Sequence, residues 1–439
     1  MKFSLKCLNS KKTRYISTLL LLNIFFILSL FNSIPYTRIY GLAVLLTGVF
    51  VFLLILIRCI IVRNFVFFIF FCYIFLYFWP LKSVVVDSIY LSYHNQTFDY
   101  PTLMKTSLIF LFFIIIVNGF IVIPEFSNMP RNLFINNDFF FYLLYIIGVF
   151  IVLFAKTGDN IFKSGGYSLG NVSNSSLNEY ILIIFITLFF FSNNKRSFIT
   201  LLYVLCICYG FKNLLFGGRI ELIMVCLLIF TLHLQYKIST KFIIFLLIFG
   251  IYLLNLFSSI RANPAILFSM KFKDLLLPNA SANTVIALGN NEGDVFYAGQ
   301  RILLLIENGY LSITDRISSF IKYLISPFVP TNILGDLANL SAYRRDVFST
   351  GGGGLAPVFF YAFLSYFGVL FFGIFIARVL SAFTKGITLV KYSYIVLVIS
   401  TVPRWFAYYP LQLIKLSLIG ALFAFFVKLI DKGYKRTIK

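Results

Sequence analysis

The sequence predicts an all-α polytopic membrane protein. Of its 439 residues, 60% are hydrophobic and only 12% are charged, whereas soluble domains carry about 25% charged residues. The mean hydropathy is +0.94, and apolar runs of about 20 residues, the length of a membrane-spanning helix, recur along the chain. Strands of a membrane barrel would instead alternate over about ten residues, so we expect helices.

We expect about twelve spanning helices, within a range of about eleven to thirteen. The third, sixth and eleventh are the weakest, because they are short or end at proline. The predicted spans divide the chain into three parts. These are a bundle of about nine spans over 1–258, a long polar segment over 259–354, and C-terminal helices with a basic tail over 355–439. The predicted spans are 15–32, 39–57, 64–79, 106–123, 138–155, 179–192, 197–211, 220–235, 242–258, 356–377, 390–403 and 410–428.

The orientation follows from the basic residues, because Lys and Arg collect in the cytoplasmic loops of membrane proteins. With the N-terminus inside, 20 of the 37 Lys and Arg fall in inner segments. This bias predicts that both termini are cytoplasmic and that segment 259–354 lies outside. The same bias explains the net charge of +22, so no nucleic-acid partner is expected. Membrane lipids are the expected contacts of the basic loops.

The long outer segment contains apolar runs of its own. Within 301–328, apolar residues recur at helical spacing with charged residues between them. This pattern predicts an interfacial helix that lies on the outer leaflet. The alternative is a second, imperfect pair of spans inside the segment. The apolar residues of the pattern are Ile313, Ile317, Phe320, Ile321 and Leu324.

The first candidate site is the Gly217-Gly218-Arg219 turn at the outer end of two predicted spans. Glycines allow a ligand to approach closely, and an arginine binds phosphate or diphosphate through two parallel hydrogen bonds. Glu221 is a candidate general base. The plain alternative is an interfacial arginine that reaches lipid headgroups, with the glutamate as a favourable charge near a helix N-terminus.

Two further candidates lie at the ends of the long segment. Arg261 stands where a predicted span ends, and its alternative role is that of a lipid anchor. Near the other end, two arginines precede four glycines at 351–354, whose backbone N–H groups have room to approach phosphate oxygens. The alternative for this stretch is a flexible hinge. Its candidate residues are Tyr343, Arg344, Arg345 and Asp346.

A fourth candidate is Arg404, which lies among Trp405, Tyr408 and Tyr409. Here a phosphate-binding arginine would stand beside rings that stack on sugars, although an aromatic belt at the interface is the ordinary alternative. No cluster of His, Cys and carboxylates has metal-ligand spacing. The long segment also has no histidine for a Ser-His-Asp arrangement. Neither a metal nor another cofactor is therefore expected.

Together these features resemble the Wzy-type O-antigen or oligosaccharide repeat-unit polymerases. The resemblance rests on the number of spans, the cytoplasmic termini, the Gly-Arg pair at 218–219, the long outer segment and the stretch GGGGLAPVFFYAFLSYFG at 351–368. It implies a fold similar to C-type glycosyltransferases and a location in the bacterial cytoplasmic (inner) membrane. The chain departs from the family pattern at Arg261, because glycine does not follow after ten residues and position 272 is Phe.

The resemblance also implies a reaction. Undecaprenyl-diphosphate-linked oligosaccharide units would be joined at the outer face into O-antigen or capsular polysaccharide, with a chain-length regulator protein as a partner. Outer-loop arginines are the family's important residues, and they correspond here to Arg219, Arg261 and the pair at 344–345. If the long segment closes over a cavity, we expect these arginines to converge on one diphosphate. The acceptor hydroxyl needs a carboxylate base. The candidates for this base are Glu221, Asp336 and Asp346.

Three other functions stay open. An O-antigen ligase shares the helix number and the long outer loop, but that resemblance would call for a histidine in the loop. A flippase or other transporter of lipid-linked oligosaccharides would show two similar halves and charges inside its spans. A non-enzymatic assembly subunit is the third alternative.

Overall fold

The computed structural model shows a helical chain with one short β pair in the part that it describes. The pair joins Lys156–Thr157 to Ser173–Asn174 in antiparallel register. The described residues are 10–31, 38–85, 100–125, 133–157, 173–174, 177–216, 218–236, 242–243, 245, 249–250, 288–348, 353–383 and 387–437.

Seventeen α-helices and two 3-10 turns make up these regions. The helices are α1 (Lys11–Leu30), α2 (Arg38–Ile61), α3 (Phe65–Leu76), α4 (Pro80–Val85), α5 (Tyr100–Phe120), α6 (Asp138–Phe154), α7 (Leu177–Phe191), α8 (Arg196–Leu215), α9 (Arg219–Leu232), α10 (Leu288–Glu307), α11 (Ile313–Ile325), α12 (Thr331–Leu334), α13 (Leu340–Phe348), α14 (Ala356–Ser381), α15 (Leu389–Ser400), α16 (Val402–Trp405) and α17 (Leu411–Thr437). The 3-10 turns are Leu234–Tyr236 and Asp336–Ala338.

The helices confirm a polytopic α-helical membrane protein. Among the described residues, seven helices are long and apolar enough to cross a membrane, and three shorter apolar helices accompany them. Eleven of the predicted spans coincide with helices, whereas the ninth, 242–258, lies largely outside the described residues. The seven long helices cover Lys12–Leu30, Arg38–Ile61, Phe65–Lys82, Tyr100–Phe120, Arg196–Leu215, Ala356–Ser381 and Leu411–Asp431.

The chain forms two compact units that do not follow sequence order. The first unit comprises Met1–Phe126, Leu288–Thr384 and Val402–Lys415, and the second comprises Ser127–Ala287, Lys385–Thr401 and Leu416–Lys439. The second half of the long polar segment thus packs with the N-terminal helices, to which it is distant in sequence.

The core of the first unit is built around α5 and α14. Phe113 of α5 stacks on Phe372 of α14, with ring centroids 5.0 Å apart. Helix α10 contacts both helices and buries an apolar face that includes Phe296, Ile302 and Leu303. Although α10 belongs to the segment predicted to be a loop, it is part of this core.

The predicted interfacial segment 301–328 consists of two helices. Helix α10 ends at Glu307, and α11 begins after Ser312, whose hydroxyl and backbone exchange hydrogen bonds with Asp315 in a capping box. One face of α11 packs Phe320 and Tyr323 against Phe363 of α14. The other face exposes Ile313, Ile317, Ile321, Leu324 and Ile325. An exposed apolar stripe on an amphipathic helix is what the interfacial prediction requires.

Helix α14 is broken inside the membrane-spanning segment. Ser365 adopts φ 57° and ψ −150°, a region that residues other than glycine rarely occupy. Because of the break, nearby backbone carbonyls lose the N–H groups that would donate to them in a continuous helix. Arg316 of α11 replaces these partners by donating to the carbonyls of Ala362 (2.6 Å) and Tyr361 (3.0 Å) and to the Ser365 hydroxyl (2.7 Å). The interfacial helix therefore stabilises the broken span.

The second unit is a group of packed helices around α7, α8 and α9. Phe141 of α6 stacks on Phe198 of α8 with ring centroids 4.1 Å apart. Lys212 donates to the carbonyls of Val152 (2.7 Å) and Leu153 (2.5 Å). The lysine satisfies the C-terminal carbonyls of α6, which fixes the C-terminal end of this helix against α8.

Candidate functional site

Three segments of the first unit, distant in sequence, meet at the end that the predicted orientation assigns to the outside. They are α10, α13 together with Gly353 and Gly354, and α16 with the turn that follows it. We call their polar and aromatic residues the outer cluster. The outer cluster consists of Tyr297, Arg301, Arg344, Gly353, Gly354, Arg404 and Tyr408.

Arg301 of α10 is held by aromatic residues on two helices. Its Nε donates to the Tyr297 hydroxyl (2.7 Å), and its Nη2 donates to the same oxygen. The guanidinium also lies 5.4 Å from the ring centroid of Phe348 on α13, within the range of a cation–π contact. Arg301 is half-buried, so its position is fixed by the protein while part of its surface stays open to a ligand.

Arg344 and Arg345, predicted to act as a pair, face different directions. Both lie on α13, where adjacent side chains point about 100° apart. Arg344 is fully buried and Arg345 is exposed. Burial, together with the neighbouring Arg345 charge, lowers the pKa of Arg344 to about 10, so Arg344 still carries its charge at pH 7. Arg344 is thus a buried member of the outer cluster, whereas Arg345 is exposed to solvent.

The glycines bring the third segment into the cluster. Gly353 and Gly354 adopt φ values of 108° and 141°, which other residues rarely adopt. A Cβ on Gly353 would lie 2.9 Å from the carbonyl oxygen of Ala407 and 3.9 Å from the ring of Tyr408. The guanidinium of Arg404 lies 5.5 Å from the same Tyr408 ring. The glycine turn therefore lies beside α10 and next to the Tyr408 ring, which contacts the half-buried Arg404.

The predicted residues Tyr343, Asp336 and Asp346 also belong to the first unit. The Tyr343 hydroxyl donates to the carbonyl of Tyr310 (3.4 Å). Both aspartates are exposed. Asp346 lies on α13, two residues from Arg344, and Asp336 begins the 3-10 turn at 336–338.

Sequence analysis missed an ion pair beside the broken helix. Lys105 of α5 donates to Glu307 of α10 at 2.8 Å, and Thr102 donates to the other carboxylate oxygen at 3.3 Å. The Lys105 ammonium lies 5.6 Å from the ring centroid of Tyr361, whose carbonyl accepts from Arg316. Both charges are partly exposed, with side-chain exposures of 26% and 35%, so the pair is a further polar element near the break.

In the second unit, Glu221 is buried beside a lysine that sequence analysis did not consider. Glu221 is 4% exposed and Lys156 is 7% exposed. A Cβ on Gly218 would lie 2.6 Å from Glu221 Oε2 and 2.8 Å from Lys156 Nζ, so glycine is needed for both to approach this turn. Lys156 also donates to Oδ1 of Asn213 (3.3 Å), which accepts from Asn178 (3.0 Å). Glu221 is therefore part of a buried polar network.

A double-mutant cycle tests whether Glu221 and Lys156 act as a buried pair. We expect Glu221→Gln and Lys156→Met each to destabilise the protein by about 3 kcal/mol, because each leaves the other charge buried without its counter-charge. The double variant should lose clearly less free energy of unfolding than the sum of the two single-variant losses. Denaturant unfolding of the purified wild type, the two single variants and the double variant measures their free energies of unfolding. Additive losses would contradict the pairing and return Glu221 to the role of an independent base.

The predicted convergence of arginines on one diphosphate stays a prediction. Arg219 begins α9 in the second unit and is half-buried, whereas Arg344 belongs to the first unit. Arg261 lies outside the described residues. Arg301, Arg344 and Arg404 all belong to the first unit, and of these Arg301 was not predicted.

The chemistry of the outer cluster is cationic and aromatic. Among the described residues, no group of three or more His, Cys, Asp and Glu could hold a metal ion. No family model, curated protein or solved structure matches the chain. Function is therefore argued from these residues and from their position in a polytopic membrane protein.

Proposed function

We propose that this protein polymerises undecaprenyl-diphosphate-linked oligosaccharide units at the outer face of the bacterial cytoplasmic membrane. The observation that carries the proposal is the outer cluster, in which Gly353 lies between α10, the helix that carries Arg301, and the Tyr408 ring, which contacts Arg404. Half-buried guanidinium groups suit a diphosphate, and an aromatic ring beside them suits a sugar. The proposal includes about twelve spans, cytoplasmic termini and a fold similar to C-type glycosyltransferases.

The proposed reaction transfers the growing glycan to a new lipid-linked unit. An acceptor hydroxyl attacks the anomeric carbon, a new C–O bond forms, and the bond from that carbon to the diphosphate oxygen breaks. The lipid diphosphate leaves with the bonding electrons, and Arg301 and Arg404 stabilise its charge. Preorganised cations of this kind are often the largest contribution to catalysis. The hydroxyl proton passes to a carboxylate, for which Asp346 and Asp336 lie in the same unit as the cluster.

A flippase is the second candidate, because α14 is discontinuous. Broken helices line the binding sites of many transporters, and the break at Ser365 is held by Arg316 rather than left open. A flippase would move the lipid-linked unit across the bilayer without forming a new glycosidic bond. The two functions therefore differ in their product.

The test uses purified full-length protein and lipid-linked units extracted from cells in which its gene has been deleted. A polymerase should convert single units into a ladder of multiples, with release of undecaprenyl diphosphate and without added nucleotide sugar. Mass spectrometry of the glycans measures chain length. Unchanged single units would reject the proposal. Movement of those units across the membrane of proteoliposomes would then identify a flippase.

A further inference from the structure

Two buried arginines meet at the opposite end of the first unit, which the predicted orientation assigns to the cytoplasm. Arg58 of α2 donates from Nη1 to the carbonyl (3.1 Å) and side-chain oxygen (2.8 Å) of Asn118, and from Nη2 to the carbonyl of Ile121 (2.8 Å). Arg14 of α1 donates from Nη1 to the same Ile121 carbonyl (2.5 Å). Two cations therefore share one oxygen at the C-terminal end of α5.

These two charges have little to balance them. Arg14 is 8% exposed and Arg58 is 3% exposed, and no carboxylate in the described part of the chain lies within 4.0 Å of either guanidinium. A helix C-terminus supplies only about half of a negative charge. Because buried charges are normally paired, this site has an excess of positive charge that an anion would neutralise.

The site also has unused hydrogen-bonding capacity. Within the part of the chain that the structure describes, the buried Nε atoms of Arg14 and Arg58 have no hydrogen-bond partner, and the same holds for Oγ1 of Thr18. Thr18 lies one turn after Arg14 on α1, and its hydroxyl is 2.7 Å from the Cβ position of Gly119. Most buried polar groups in proteins are satisfied. Three unsatisfied groups around one helix end indicate an acceptor-rich ligand.

The geometry of Arg14 further restricts the chemical groups that could bind at this site. Its Nη1 is engaged by Ile121, which leaves the Nε–Nη2 edge, where two N–H bonds point in the same direction and match two oxygens of a phosphate. Beyond this end, α1 exposes a continuous apolar face along which an acyl chain can lie. The exposed residues of that face are Ile16, Leu19, Leu20, Ile24 and Ile27.

We propose that Arg14 and Arg58 bind the phosphate group of an anionic membrane phospholipid whose acyl chains lie along α1. Basic sites between helices at the cytoplasmic side suit anionic headgroups. The site stands at the end opposite the outer cluster and does not depend on the polymerase proposal. Free phosphate would offer the same oxygens without the acyl chains.

The test titrates delipidated, purified protein with phosphatidylglycerol, diacylglycerol or inorganic phosphate. Native mass spectrometry measures binding, and thermal unfolding measures stabilisation. We expect phosphatidylglycerol to bind and to raise the melting temperature. Arg14→Gln should weaken this binding by about tenfold or more, because it removes charge-assisted hydrogen bonds. Lys12→Gln, an exposed neighbour on the same helix, is the matched control and should change the affinity by less than about twofold.

Each outcome decides the proposal. Arg14-dependent stabilisation by inorganic phosphate alone, equal to that by the lipid, would keep the phosphate site and assign it to a free anion. Equal binding of diacylglycerol would overturn the proposal, because that lipid has no phosphate. Unchanged phosphatidylglycerol binding in Arg14→Gln would overturn it as well. Arg14 is the deciding residue, because Arg58 makes three hydrogen bonds to α5 and its substitution also removes structural contacts.

Discussion

Replacing Arg301 by glutamine is expected to reduce polymer formation by about 10- to 150-fold. That range corresponds to the loss of one charge-assisted hydrogen bond, about 1.5–3 kcal/mol, from the transition state. Arg404→Gln should have an effect of similar size, and the double variant should lose about 100- to 20,000-fold if the two act independently. The measurement is the rate of ladder formation from lipid-linked units with purified protein.

Arg345→Gln is the matched control for both substitutions. Arg345 carries the same charge and lies on the same α13 that contacts Arg301 through Phe348, but it is exposed and turned away from buried Arg344. We expect its rate to stay within about threefold of the wild type, since surface charges contribute little. Equal losses in Arg345→Gln and Arg301→Gln would show that general positive charge, rather than the outer cluster, matters.

Helix positions could be predicted because hydropathy decides them. The predicted span 138–155 and the observed α6 (Asp138–Phe154) differ by one residue. The prediction was less successful for α10, which hydropathy assigned to a loop. Polar residues such as Gln300 and Arg301 interrupt its apolar pattern, and the contact of Arg301 with Phe348 of α13 is one that no local pattern reveals.

The site was harder to predict because its contacts are non-local. The pairing of Lys156 with the Gly218 turn joins positions separated by more than sixty residues, and nothing in either segment indicates the other. The different directions of Arg344 and Arg345 would have followed from helix geometry. That inference required recognising α13 as a helix, whereas the nearby glycines favoured a hinge.

The break in α14 had a sequence signal that an apolar run concealed. Kinks without proline commonly occur at Gly and Ser pairs, and Ser365 and Gly368 form such a pair within the predicted span 356–377. What the sequence could not show is that Arg316 of a separate helix would satisfy the exposed carbonyls.

Gly368→Ala is expected to destabilise the protein by about 3 kcal/mol or more, beyond the usual range for an added core methyl. A Cβ at this position would lie 2.1 Å from the carbonyl oxygen of Phe360, because the break at Ser365 brings the backbone of Phe360 next to the second half of α14. The obstructing atom belongs to the backbone, so no side-chain rotation relieves the clash. Restoring a straight helix would withdraw the carbonyls that Arg316 binds.

Gly299→Ala is the matched control, since it adds the same methyl group to a buried glycine of α10 in the same unit. Its nearest neighbours would lie 3.6 Å away, in ordinary contact, and alanine favours a helix over glycine by about 1 kcal/mol. We therefore expect Gly299→Ala to be neutral or stabilising. Thermal unfolding of the purified variants distinguishes the two. If Gly368→Ala melts like Gly299→Ala, then α14 is continuous in solution and Arg316 has another role, whereas a large loss confined to Gly368→Ala requires the broken helix.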